Sequence, residues 1–155
     1  MGSADYVTYI YRLTENDAKE VAQIGASIDT AKINVNEIVM ESWVYLLGTY
    51  GGIKTYRFDD LGNFATSDTE FILERKTYVL TTTADLPVEI SGEDNMLPKG
   101  SHIVLNATDN ESYVTFTITE TGQTGMMKIQ RGDDYFVKIH GMDETECFEE
   151  LPYAG

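Results

Sequence analysis

The side chains best suited to covalent chemistry are one thiol and two imidazoles: Cys147, His102 and His140. A thiolate attacks an electrophilic carbon once a base has removed its proton, and histidine is the common base. The neighbours of Cys147 oppose that use. In "DETECFEE" carboxylates surround the thiol, and their charge raises a thiol pKa, whereas reactive cysteines occupy electropositive surroundings. A partly buried, inert Cys147 is expected. The same three side chains leave a catalytic zinc site short of ligands unless carboxylates complete it. His102 falls opposite Ile103 and Leu105 on a strand pattern, and His140 directly precedes a glycine turn, so both are expected at the surface.

Paired carboxylates recur as Asp59 with Asp60, Asp133 with Asp134, and Glu149 with Glu150. A glycosidase needs two carboxyl groups at a set separation across the scissile bond, and among 26 acidic residues no pair stands out. The segment "DNES" at 109–112 lacks the alternating oxygen ligands and the glycine of a calcium loop, and "RGDDY" reads as a turn. No glycine-rich phosphate loop, GxSxG elbow or HExxH pair occurs. No catalytic residue, metal ligand or cofactor is assigned from the sequence.

Aromatics carry the remaining signal: Trp43, Tyr45, Tyr50 and Tyr56 in the first half, Tyr113, Tyr135 and Phe136 in the second. On the solvent face of a strand such rings stack on sugars or peptides; turned inward they are core and rim. The candidate ligand-contacting residues are Trp43, Tyr45, Tyr113, Tyr135 and Phe136.

The elements that must position these residues are mostly strands. In "YVTYIYRL", Val7, Tyr9, Tyr11 and Leu13 alternate with Thr8, Ile10 and Arg12, a period of two. In "TENDAKEVAQIG", Thr14 as N-cap with Asp17 three residues on, then Ala18, Val21 and Ala22, predicts one short helix ending at Gly25. The runs "INVNEIVMESWVYLLG", "IKTYRF" and "EFILERKTYVLTTT" read as strands, with "GTYGG" at 48–52 and "DDLGN" at 59–63 as hairpin turns. The mixed stretch "TTTADLPVEISGEDNMLPKG" marks a boundary between halves at 1–84 and 85–155 that are expected to touch. Beyond it "SHIVLNA", "YVTFTIT", "GMMKIQ" and "YFVKIHG" have the spacing of a small barrel or sandwich. In "YVTFTIT" the residues Val114, Phe116 and Ile118 are expected to face a core, and Gly122 and Gly125 in "ETGQTG" to take positive φ. Phe148, Leu151 and Tyr153 are expected to fasten the C-terminus to the body.

Composition supports a folded chain: 155 residues, 42% hydrophobic and 11% aromatic, enough for one sizeable core. A formal charge of −15 repels phosphate backbones and anionic lipid, which excludes nucleic acid as a partner and leaves a basic protein or a cation as the charged alternatives. No apolar run approaches the length of a membrane helix, so no membrane insertion is expected. The opening "MGS" looks like a cloning scar, which leaves room for a signal peptide ahead of Ala4 in the native chain.

Around "LPKG" at 97–100 and "TGQTGMMKI" at 121–129 the chain resembles bacterial SH3-like domains, in which such a turn precedes a strand and such a step leads into the next. The resemblance covers residues 86–130 and implies an SH3-like barrel in the C-terminal half. Met126 and Met127 stand where that family usually carries a Trp that lines its ligand groove. The ending "DETECFEELPYAG" is similar to that of secreted β-rich proteins of gut Firmicutes with Tyr-rich N-terminal halves. That similarity implies an extracellular or cell-surface location and assigns no activity.

The expectation is a mainly β protein of antiparallel strands with one short N-terminal helix and an SH3-like C-terminal barrel packed on a β-rich first half. Its expected role is a non-catalytic binding or interaction module for a cell-wall glycan or peptide. A small carboxylate-based hydrolase and an acidic cytoplasmic immunity protein that masks a basic toxin are the alternatives.

Overall fold

The computed structural model describes residues 6–33, 37–74, 78–132 and 136–153. It is mainly β, and all its strand pairs are antiparallel. The chain opens with β1 (Thr8–Leu13) and β2 (Ala18–Ile24), a two-stranded hairpin of its own, followed by β3 (Ser27–Ile33), β4 (Ile38–Tyr45) and β5 (Thr49–Phe58). Short strands β6 (Phe64–Ala65), β7 (Phe71–Leu73) and β8 (Leu80–Thr81) lead to β9 (Leu86–Ile90) and β10 (Glu93–Leu97). Then come β11 (His102–Thr108), β12 (Tyr113–Ile118) and β13 (Thr124–Lys128). A small sheet of β14 (Gln130–Arg131), β15 (Val137–Ile139) and β16 (Met142–Asp143) ends in the one-turn helix α1 (Glu144–Cys147).

The main sheet runs in the order β10-β9-β13-β12-β11-β7-β5-β4-β3, with β6 paired to β5 and β8 to β11. This path is open. No closed barrel occurs among the described residues, so the coarser expectation of antiparallel β structure is what the C-terminal half displays. Both the sheet and the principal core cross residue 84: Val44, Leu47 and Tyr50 pack in one cluster with Leu86, Leu105, Phe116 and Phe148.

The helix expected after Thr14 is a strand instead, and the helix that exists lies near the other end of the chain. The residues that looked like an N-cap close a hairpin: the Thr14 amide donates to the Asp17 carbonyl at 2.8 Å, and the Asp17 amide donates to Thr14 Oγ1 at 3.1 Å. Short hydroxyl and carboxylate side chains bond nearby backbone equally well in turns and in caps. A helix presenting Ala18, Val21 and Ala22 has little to bury, whereas pairing with β1 sets Ala22 and Ile24 beside Ile10 in a second core with Met40 and Phe64. Burying side chains the size of Met40 or Phe64 contributes about 1.5–3 kcal/mol each.

The alternation expected in β1 is present. Thr8 and Ile10 turn inward, while Tyr9 and Tyr11 are about half exposed and Leu13 is 77% exposed. The β4–β5 turn falls on Leu46–Gly48, with Leu47 at φ 48 and Gly48 at φ 114, and not on the later glycines. Gly51 and Gly52 lie inside β5, paired with Trp43 and Ser42. Gly62 in "DDLGN" turns at φ 76 as expected, and Arg12 lies across it, donating to the Leu61 carbonyl at 2.8 Å. That bond, with Thr8 Oγ1 on the Ala26 carbonyl at 2.6 Å, ties the first hairpin to the body.

Candidate functional site

Along β4 the pleat sends Met40 and Val44 into the core and Glu41, Trp43 and Tyr45 to the other face. Ser27 on β3 stands directly opposite Glu41. Ser42 Oγ donates to the Gly25 carbonyl at 3.0 Å, fixing the corner between β2 and β3 against β4. Tyr6 and Val7, just ahead of β1, form the facing wall. Together these elements enclose a cleft of about 540 Å³ lined by Tyr6, Val7, Ser27, Glu41, Trp43 and Tyr45, with Gly25, Ala26 and Ser42 at its corner. Its volume lies within the usual range for small-ligand sites.

Glu41 owes its position to a missing Cβ. Gly51 sits diagonally across from it, and a Cβ on that glycine would lie 2.5 Å from Glu41 Oε1. The carboxylate therefore folds over the glycine backbone beside Trp43. The result is an aromatic wall whose Tyr6 and Tyr45 carry hydroxyls, the Glu41 carboxyl group and the hydroxyls of Ser27 and Ser42 around one cavity. Such a set stacks on the apolar face of a ring and accepts or donates hydrogen bonds at its rim. Among the described lining residues Glu41 is the one carboxylate, whereas a glycosidase pairs two.

No family model matches the chain, and no curated protein or solved structure is similar to it.

Of the five sequence-derived candidates, the fold brings Trp43 and Tyr45 together in this cleft. Tyr113 and Phe136 are elsewhere, and Tyr135 lies outside the described residues. The Tyr113 hydroxyl donates to Glu70 Oε1 at 2.7 Å, and that bond, aided by burial and by the charges of Glu70 and Asp109, pushes its pKa up to about 12. Tyr113 is thus held in the scaffold between β12 and the segment before β7. Phe136 meets Tyr153 edge-on at 6.0 Å, with 46% of its surface exposed. Glu41, Ser27 and Tyr6 were missed. Strand alternation around Trp43 was the available signal for Glu41, two residues upstream; the other two arrive from elements whose approach is tertiary.

Several of the other reactive groups sit in structural settings. Cys147 is fully buried, and burial, with Glu146, Asp143 and Glu144 nearby, raises its pKa to about 11. His102 Nδ1 pairs with Glu120 Oε1 at an exposed position, and that bond lowers the Glu120 pKa. In "DNES" the Asp109 side chain accepts the amides of Glu111, Ser112 and Tyr113 and the Ser112 hydroxyl. Burial opposes its charge, but those bonds together outweigh it and hold the carboxyl at about 2. Asp59 likewise accepts the amides of Leu61 and Asn63 in a turn. Among the described residues no group of three or more His, Cys, Asp or Glu is placed to hold a metal.

Proposed function

We propose that the chain is a non-catalytic binding module of a secreted or cell-surface bacterial protein, and that the Trp43 cleft takes a saccharide unit of a cell-wall glycan. The observation that carries this reading is the convergence of Trp43, Tyr45 and Tyr6 with Glu41 and Ser27 around one cavity. A pyranose ring has an apolar face that stacks on an aromatic side chain and a rim of hydroxyls that pair with a carboxylate and hydroxyl groups. The location rests on the resemblance read in the ending "DETECFEELPYAG", and the lone carboxylate among the described lining residues favours binding over hydrolysis.

Trp43 is the single tryptophan of the chain, so its fluorescence reports directly on the cleft. Titration with soluble peptidoglycan fragments or chitooligosaccharides should shift or quench the emission saturably, with no new reducing ends on prolonged incubation. Tyr45→Ala in the same titration, and Trp43→Phe in a calorimetric one, should weaken binding by about ten-fold, the loss of roughly 1.4 kcal/mol of stacking and burial. Binding that leaves Trp43 emission unchanged would remove the cleft from the assignment. Release of reducing ends, abolished by Glu41→Gln, would make the protein a hydrolase instead.

A further inference from the structure

At the end of the main sheet opposite to β3, strand β10 has no partner on its outer edge among the described residues. It is joined to β9 by a two-residue turn, Ser91 at φ 55 and Gly92 at φ 81, the arrangement of a type I′ hairpin. Such a turn makes Ile90 and Glu93 a hydrogen-bonded pair, and pairs then alternate. Asp94 with Glu89 and Met96 with Pro87 are consequently the wide pairs, in which the β10 backbone groups point away from β9. Two details agree. Pro87 has no N–H to give, and the Met96 amide donates to Asn95 Oδ1 at 2.9 Å, not across the ladder.

The face beside this edge is built in rows. Asp94, Glu89 and Met126 stand side by side across three strands, with Met96 and Pro87 in the next row. With Lys128 and His140 on the far side, these residues border a hollow of about 580 Å³. Asp94 and Glu89 are like charges placed directly opposite in a wide pair, where side chains are closest, and such a pair is destabilising. Among the described residues neither carboxylate has a salt-bridge or side-chain hydrogen-bond partner. The edge thus combines the outward carbonyls of Asp94 and Met96 and the outward Asp94 N–H, with the Met96 N–H held locally by Asn95 Oδ1 until a strand replaces it, an acidic pair without a salt-bridge partner and, two residues along the same face, the thioether surface of Met96, which is 51% exposed.

We infer that β10 is a docking edge for an extended basic segment of another protein, which adds as a further strand and places a Lys or Arg beside Asp94 and Glu89 and an apolar side chain beside Met96, two residues away. Strand addition supplies main-chain hydrogen bonds, and side chains at a two-residue spacing supply selectivity. Charge complementarity selects this occupant. A second copy of the chain would bring the same acidic edge and the same net charge of −15, which opposes self-pairing at β10. This site lies at the other end of the sheet from the Trp43 cleft and does not depend on the glycan assignment.

The test uses the whole chain and a blocked seven-residue peptide, Thr-Lys-Thr-Ile-Thr-Lys-Thr, whose lysines and isoleucine share one face when extended. Amide chemical-shift mapping should show saturable changes centred on Asp94 and Met96, weakened by added salt. Asp94→Asn combined with Glu89→Gln should reduce affinity roughly five-fold and flatten the salt dependence, as the loss of exposed charge pairs would. Met96→Pro removes the outward N–H, with its bond to Asn95 Oδ1, together with the thioether, changes that an edge strand tolerates, and should weaken binding by about ten-fold while the β9–β10 amides keep their shifts. If Met96→Pro disturbs the fold, the double carboxylate variant, which leaves the backbone untouched, decides alone. The inference is overturned if a peptide with Glu in place of Lys binds equally well, if the shifts map to the Trp43 cleft, if the carboxylate variant binds unchanged, or if β10 is found buried in a dimer.

Discussion

Glu144 is the one buried charged side chain among the described residues, 1% exposed, and it joins three distant parts of the chain. Its Oε2 accepts the amides of Leu47 at 3.1 Å and of Val137 at 3.2 Å, and its Oε1 accepts the Tyr153 hydroxyl at 2.5 Å. Burial and the Glu144 bond both raise the Tyr153 pKa. Leu47 is a non-glycine residue at φ 48, a conformation that costs about 1–2 kcal/mol and persists only where its surroundings enforce it. Glu144 is the main enforcer, aided by the Tyr50 hydroxyl on the Leu47 carbonyl at 3.3 Å and by Pro152 against Gly48.

Glu144→Ala strands two buried amides, each worth about 1–3 kcal/mol when unsatisfied, while relieving the carboxylate of its own desolvation. A net loss of about 3–5 kcal/mol follows. In a chain of this size that lowers Tm by roughly 6–20 °C. Glu144→Gln keeps a carbonyl for both amides and sets its NH2 against the Tyr153 oxygen, so only charge assistance is lost. Charged hydrogen bonds are about twice as strong as neutral ones, which puts this variant at about 1–2 kcal/mol. Urea unfolding at neutral pH measures both. A Gln variant as damaged as the Ala variant, or an Ala variant within about 1 kcal/mol of the parent, would refute the view that these amides depend on Glu144.

The paired glycines of β5 separate binding from stability. Gly51→Ala presses only on the mobile carboxylate end of Glu41, so it should leave Tm within about 2 °C yet alter glycan binding, whereas a Cβ at Gly52 meets Val44 Cγ2 at 2.4 Å and the Phe71 side chain; Gly52→Ala should cost about 1–3 kcal/mol by overpacking. Asp109 has a folded pKa of about 2 against an ordinary 3.8. The unfolded chain therefore binds the proton first as pH falls, so this group's stabilisation is complete above about pH 4 and fades towards pH 2. Acid unfolding followed by tyrosine fluorescence should show that Asp109→Asn flattens this limb of the stability profile.

The sequence by itself determined that the protein is built of strands, because a two-residue alternation of apolar and polar side chains suits the pleat and little else. It also located several turns, since glycines at Gly62, Gly100 and Gly122 adopt positive φ where they stand. Alternation defines two faces without saying which is covered, and in β1 the small row of Thr8 and Ile10 is inward while the tyrosine row is outward. Only the approach of β4 and Phe64 decided that. The Thr14–Asp17 signal was equally ambiguous, since the same side-chain bonds open a helix or close a hairpin, and the choice followed the strand available to pair. Gly125 sits in β13 beneath Phe116, whose ring would lie 2.6 Å from a Cβ there; its need for glycine is a packing need invisible to local conformation. Trp43 and Tyr45 were legible as neighbours on one strand face. Their cleft was not, because Tyr6, Ser27 and the space that Gly51 leaves for Glu41 meet only when three strands and the segment before β1 are brought together, and such nonlocal contacts leave no periodic trace in the chain.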